Sequence, residues 1–217
     1  MTVSPIQVLR SLALVVLMAT WAVAAYFGSS GRGSPDFNVA IGVAPIAVAL
    51  AMLLWRVRHP PGRVAGGLLL AGTLAWLWPS LRQNFALLYF IEHLGTNLAF
   101  AALFGKTLSG PGEPLITRFA RIANNGVLSG RQLRYTRQAT LAWTGFFLAN
   151  ATLSSLLYAL APPAVWSFYA SLLTAPLVGL MFAAEHLWRM RVLPPEERPS
   201  MADVARAWRQ RASVKGS

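Results

Sequence analysis

The sequence predicts an all-α, polytopic membrane protein of about six transmembrane helices, and three observations carry that prediction. Only 12% of the 217 residues are charged and 55% are apolar or aromatic, whereas soluble domains carry about 25% charged residues because a water-facing surface needs them. Runs of roughly 18 apolar residues, the length that crosses about 30 Å of hydrocarbon, recur along the chain. Arg and Lys collect in alternate connections between those runs, the pattern expected when basic loops are retained on the cytoplasmic side.

The runs are Ser11–Phe27, Phe37–Trp55, Val64–Leu81, Asn84–Phe104, Ala139–Ala161 and Val165–Trp188. The first is read as a retained helix rather than a cleaved signal, because it contains Trp21 and Tyr26 and has no small-x-small cleavage site ahead of the following loop. Between the third and fourth runs, Pro79 and the polar Ser80, Arg82, Gln83 and Asn84 are expected to stop both helices in a tight reversal. Gly66, Gly67, Ala71 and Gly72 give the third run a surface for close helix contact. Of the 19 Lys and Arg, all but Arg32 and Arg82 fall on one side of this arrangement. Both termini are therefore expected in the cytoplasm, with the chain in a bacterial inner membrane. Residues 1–192 are expected to form one six-helix domain with a cytoplasmic loop over 107–138, and residues 193–217 a basic tail.

Composition also excludes whole classes of chemistry. Without cysteine there is no disulfide scaffold, thiolate metal site or iron–sulfur cluster. Three His and seven acidic residues are a short inventory for a metal site, and no metal or cofactor is expected. The net charge of +12 is what topology demands, and no basic motif interleaved with stacking aromatics accompanies it, so nucleic acid is not expected as a partner. The sequence contains no phosphate-cradling glycine loop, Gly-x-Ser-x-Gly, His-x4-Asp or His-Glu-x-x-His, and no catalytic residue is assigned.

Two cytoplasmic stretches have structure of their own. After Ser109-Gly110-Pro111-Gly112, Glu113 and Pro114 suit the start of a helix in which Leu115, Phe119 and Ile122 recur at helical spacing. This reads as a short amphipathic helix on the inner leaflet, ended by Asn124-Asn125-Gly126. A second helical piece follows Ser129-Gly130 and carries Arg131, Arg134 and Arg137 at three-residue steps. In the tail, Pro194 to Pro199 form a stiff linker, and Ser200 with Asp203 resembles a capping box for a helix reaching about Arg211, with Arg206 and Arg209 on its basic side. Arg118, Arg121, Arg131, Arg134, Arg137, Arg206 and Arg209 are the candidate docking residues, either for lipid phosphates or for an acidic soluble partner.

Ionisable groups at membrane depth are costly and are functional candidates by default. Glu92 and His93 lie about 12–14 Å along the fourth helix from Asn84, near the midplane, with Asn97 one turn beyond His93. Glu185 and His186 stand near the cytoplasmic end of the sixth run, where Glu185 can pair with Arg189. Members of each pair diverge by about 100° around the helix, so a joint site needs a residue from another helix. Two readings stay open for these groups: a satisfied packing role, or a relay or catalytic role.

The segments Phe90–Gly105, Gly112–Arg121, Arg134–Trp143 and Ala175–Glu185 resemble a bacterial family of membrane proteins encoded among aryl polyene pigment biosynthesis genes. The resemblance covers Tyr89 to Val192, and the first three runs match only as generic apolar helices. It implies an accessory or scaffold protein whose partners are an acyl carrier protein and a ketosynthase or acyltransferase, with membrane lipids around it. It carries over no catalytic residue, and Ile122 to Gly130 lacks the His-Gly of this loop in the family. Two alternatives remain: a small transporter or flippase for a lipid-linked or aryl intermediate, which with six short helices calls for a homodimer, and an intramembrane enzyme using Glu92 and His93.

Overall fold

A computed structural model describes residues 5–124 and 126–197 and is all-helical, with no strand among them. Its helices are α1 (Pro5–Ser29), α2 (Pro35–Trp55), α3 (Pro60–Gln83), α4 (Phe85–Ser109), α5 (Leu115–Ala123), α6 (Gly130–Leu160), α7 (Pro163–Phe168) and α8 (Thr174–Val192). A π turn, Tyr169–Leu173, joins α7 to α8, and a 3-10 turn, Pro195–Glu197, follows α8. The tail residues Arg206 and Arg209, and the Ser200–Asp203 helix start, lie outside the described residues.

Four helical segments are long and apolar enough to cross a membrane by length and composition: α2, α3, α4 and the continuous Pro163–Val192. Helix α1 contributes a shorter apolar stretch, Val15–Ser29. Helix α6 has 31 residues, but Thr140, Thr144, Asn150, Thr152, Ser154 and Ser155 dilute its apolar content. The outward faces are apolar: α3 has no buried residue, while Leu69 is 72% and Trp76 78% exposed. Large side chains facing outward in such number suit apolar surroundings, as a membrane provides.

The helix starts follow local chemistry. Ser34 caps α2 by accepting from the Phe37 amide at 3.2 Å, ahead of Pro35 and Asp36 in the first turn. His59, unassigned in the sequence reading, caps α3: its Nδ1 accepts from the Gly62 amide at 3.3 Å. Pro79 does not stop α3, which runs on to Gln83; the break is at Asn84, whose amide bonds back to Ser80 and Leu81. A proline removes only its own amide bond, and an exposed one at the end of a helix leaves the following turn intact.

By contact, the chain divides into two compact units. The first comprises Met1–His93 and Ser154–Thr174. In it α2 packs on both α1 and α3, and α1 also packs on α7 and the π turn. Asp36 accepts from the Trp78 indole at 2.8 Å and pairs with Arg82 at 3.2 Å, so α2 begins where α3 ends. The Tyr89 hydroxyl donates to the Asn38 carbonyl at 2.9 Å, and the Trp166 indole to Ser154 at 3.1 Å. Gly42 is one of the glycines that permit close packing here, since a Cβ would lie 3.0 Å from Leu88 and 3.1 Å from Tyr89. Of the expected glycines of α3, Gly66 packs against α2, where a Cβ would lie 2.5 Å from Leu54, while Gly67 and Gly72 have nothing within 4 Å.

The second unit comprises Leu94–Leu153 and Ala175–Ser217. Its core is Ala101, Trp143 and Phe147 with Phe104, Val178 and Met181, joined by Tyr135, Ala139 and Leu193 with Trp188. Helix α5 begins at Pro114 without a side-chain cap of its own. Its first amides are satisfied by threonines of the neighbouring helices: Leu115 donates to Thr107 at 2.9 Å and Ile116 to Thr140 at 3.3 Å. Thr117, the buried residue of α5, shares a 2.7 Å hydroxyl contact with Thr136. Thus α5 is docked by a threonine series on α6 rather than resting on its Leu115, Phe119 and Ile122 strip alone, and Phe119 stays 54% exposed.

Candidate functional site

Two groups of residues qualify as sites, one in each unit. In the first unit, His93 Nε2 lies 3.0 Å from the Thr174 hydroxyl. That hydroxyl donates to the Tyr169 carbonyl at 3.1 Å, so it accepts from His93, and the proton belongs on Nε2. Tyr169 meets the imidazole edge-on at 5.8 Å. The π turn that ends at Leu173 brings Thr174 and Tyr169 to this position, a local insertion often found at functional sites. Glu92, the next residue back, has one carboxylate oxygen buried and without a hydrogen-bond partner among the described residues. The structure therefore joins His93 to another helical segment and leaves Glu92 apart from it, as their angular separation predicts. Asn97 is buried within the second unit.

The second unit holds a cavity of about 650 Å³ lined by α4, α5, α6, α8 and the 3-10 turn. This volume is typical of small-molecule sites, which span about 300–1,000 Å³. One end is aromatic: Phe100, Phe104, Trp143, Phe147 and Phe182. Their rings contact one another, with Phe100 stacked on Phe147 at 5.0 Å and Trp143 against Phe182 at 4.6 Å. The other end is polar: Asn124, Gln132, Tyr135, Glu185, Arg189 and Glu197. Lining residues on α6 run from Gln132 to Phe147, about 22 Å along the axis at 1.5 Å per residue, so the site is elongated.

Hydrogen bonds fix the polar end. The Tyr135 hydroxyl donates to the Glu185 carboxylate, which corrects the expected Glu185–Arg189 pair. Arg189 instead donates to His186 Nδ1 at 2.9 Å, on the exposed side of α8. Ser129 and Gln132 form a reciprocal capping box at the start of α6, with bonds of 3.1 and 2.8 Å. The Gln132 amide nitrogen then donates to the Glu197 carbonyl at 2.9 Å, tying the 3-10 turn to α6. One carboxylate oxygen of Glu197 is buried without a partner among the described residues.

The candidate docking arginines separate into two kinds. Arg121 grips the Glu113 carboxylate through two nitrogens, with Nε at 2.8 Å, and donates to the Gly126 carbonyl at 2.7 Å. This hydrogen bond, more than the charge itself, holds the Glu113 carboxyl below the ordinary carboxylate range and the guanidinium above its own. Arg118 donates to the Glu113 carbonyl at 2.9 Å. Both therefore close the loop that launches α5, so these two candidate docking residues also hold local structure. Arg131, Arg134 and Arg137 are exposed along the first turns of α6, while Gln132, Tyr135 and Thr136 of the same turns are buried and line the cavity.

Of the sequence candidates among the described residues, only Glu185 lines the cavity. Its aromatic wall was hidden among many apolar residues of the same kind, but two features were legible: Ser129-Gly130-Arg131-Gln132 is a capping-box pattern, and Thr136, Thr140 and Thr144 recur at four-residue steps. No metal-binding group of three or more acidic or histidine residues occurs among the described residues. Comparison with protein-family models, curated proteins and solved structures returned no match to this chain.

Proposed function

We propose that this chain is a six-span bacterial inner-membrane protein that serves as an accessory scaffold in aryl polyene biosynthesis, holding carrier-bound intermediates at the membrane. The observation that carries the reading is the exposed row of Arg131, Arg134 and Arg137 on the turns of α6 whose other face lines the cavity. Acyl carrier proteins are acidic, and a row of cations without side-chain partners among the described residues steers and orients such a surface. The segments that resemble the aryl polyene family also supply much of the cavity wall, including Phe100, Phe104, Tyr135, Trp143, Phe182 and Glu185. Six spans are supported by the lengths of α1 and α6, 25 and 31 residues, beside the four apolar crossings. Both helices exceed the roughly 20 residues a crossing needs.

The test is recovery of proteins with the full chain solubilised from its own cells, at low and moderate salt, with mass spectrometry of what co-purifies. Salt-sensitive recovery of an acyl carrier protein, lost when Arg131, Arg134 and Arg137 are changed to Glu while the chain stays in the membrane, is the expected result. Undiminished carrier recovery by that variant overturns the docking surface. Recovery of lipid or aryl material alone favours the second reading, transport through Glu92 and His93, which rests on the buried Glu92 oxygen and the His93–Thr174 contact.

A further inference from the structure

We infer that the hairpin between α2 and α3, in the first unit, is a binding site for an anionic phospholipid, with the phosphate on Arg56, Arg58 and Arg63 and the acyl chains against Trp55 and its apolar neighbours. Only four residues, Arg56 to His59, separate the two helices, and their backbone is fixed. The Arg56 amide bonds back to Leu53 at 3.1 Å and the Val57 amide to Leu54 at 3.0 Å. His59 holds the start of α3, its Nδ1 accepting from the Gly62 amide and its carbonyl from the Arg63 amide at 3.1 Å. The stems of the three arginines are thereby in place before a ligand arrives. Because His59 occupies the first free amide of α3, the guanidiniums and not the helix end are the donors.

These cations lack a counterion of their own. Arg56 and Arg58 are exposed, and neither they nor Arg63 makes a side-chain hydrogen bond or ion pair among the described residues. Arg63 lies over the Trp55 ring, 6.0 Å from its centroid. The first unit contains two carboxylates, Asp36 and Glu92. Asp36 heads α2, about 28 Å along the axis from Trp55 at 1.5 Å per residue, and is paired there with Arg82. Glu92 is one turn beyond Tyr89, which bonds Asn38 near that same far end. The apolar side of the patch selects a lipid over a soluble anion. Trp55 is 80% exposed at the end of an apolar span, and Met52, Leu53 and Val64 beside it are exposed as well. A Trp next to arginines at the end of such a span belongs at headgroup level, with phosphate on one side and acyl chain on the other. A choline or ethanolamine head brings a cation of its own toward three guanidiniums, so a head without an amine is preferred. The inference rests neither on carrier docking, which uses the second unit, nor on the direction in which the chain crosses the membrane.

The experiment offers the full chain, purified in mild detergent, an equal mixture of phosphatidylglycerol and phosphatidylcholine with the same acyl chains, and follows the retained lipids by native mass spectrometry. The last lipid to leave on collisional activation is expected to be phosphatidylglycerol, about tenfold over phosphatidylcholine, and Arg56→Gln with Arg58→Gln and Arg63→Gln should abolish that preference. The same change at Arg131, Arg134 and Arg137 should leave it in place. Equal retention of the two lipids by the wild type overturns the inference, as does a preference that survives the hairpin variant. A preference lost with the Arg131 row instead assigns the lipid to that row and overturns it too. Glycerol 3-phosphate, the head without the chains, should not displace the lipid; displacement at equal concentration would mark a site for soluble anions and overturn the lipid assignment. Should the triple variant fail to fold, Arg58→Gln alone is expected to cut the preference about threefold, and an unchanged preference overturns the inference.

Discussion

At the scale of single residues, the clasp between Glu113 and Arg121 shows how one ion pair can give a surface cation a structural task. The carboxyl of Glu113 is held below its ordinary value of 4.5, first by the hydrogen bond from Arg121. A carboxyl depressed in the folded state adds stability that is fully present above its unfolded value and is lost as pH falls through the folded one. Protection of α5 amides, corrected for intrinsic exchange, is therefore expected to hold from neutral pH down to about 4.5 and to fall by a few-fold below it. Glu113→Gln should start from the weakened level and stay flat across the same range. Identical profiles for the two proteins would mean that the clasp does not hold the loop. The residue scale also explains why His59, His93 and His186 are so different: one caps a helix, one bonds a threonine beside a π turn, and one accepts from an arginine at the surface.

At the scale of elements, the start of α6 carries most of the interest, because one capping box organises two surfaces. Ser129 and Gln132 satisfy each other's amides, and Gln132 also holds Glu197 at the cavity's polar end. Ser129→Ala removes half of the box, and the expected loss is about 1 kcal/mol on denaturation in mild detergent. Amide exchange should rise over residues 131–135 and stay unchanged over 145–155. A uniform change along α6, or none, would show that tertiary packing and not the cap fixes this end. Helix α5 makes the complementary point, since its own first turn contains no capping side chain and it is held in place by hydroxyls from Thr107, Thr140 and Thr136.

At the scale of the whole molecule, the claim at stake is the number and direction of crossings. The chain has no cysteine, so single cysteines report topology without background. Cysteines placed at Ser30 and Asn84 are expected to react with an impermeant maleimide from the outside of intact cells. Cysteines at Arg58, Gly110 and Val127 should react only after the membrane is opened. Outside labelling at Arg58 or Val127 would sink the six-span arrangement, because both lie in connections that the arginine bias places within. The pairing of Asp36 with Arg82 and Trp78 fits the expected pattern, since it brings the start of α2 and the end of α3 to one level.

The sequence by itself determined the helical class, four apolar segments long enough to cross a membrane, and the short helix over Leu115–Ala123. Each of these is a sum or a period along one chain: hydropathy over a window, apolar spacing over two turns. It ended the third run at Leu81, two residues short of Gln83, because the turn after Pro79 needs no amide from the proline. Of the packing glycines it pointed to in α3, Gly66 makes a close approach, to Leu54, while Gly67 and Gly72 make none, and Gly42 of α2 makes one that it did not point to. Which polar groups meet was decided only by the tertiary structure. Tyr135 and Glu185 are 50 residues apart, and Gln132 and Glu197 are 65 apart, so no spacing rule joins them. The cavity depends on how α4, α5, α6 and α8 are rotated about their axes, and in a chain apolar on nearly every face, hydropathy alone does not set that rotation. The hydroxyl and aromatic contacts between the helices do.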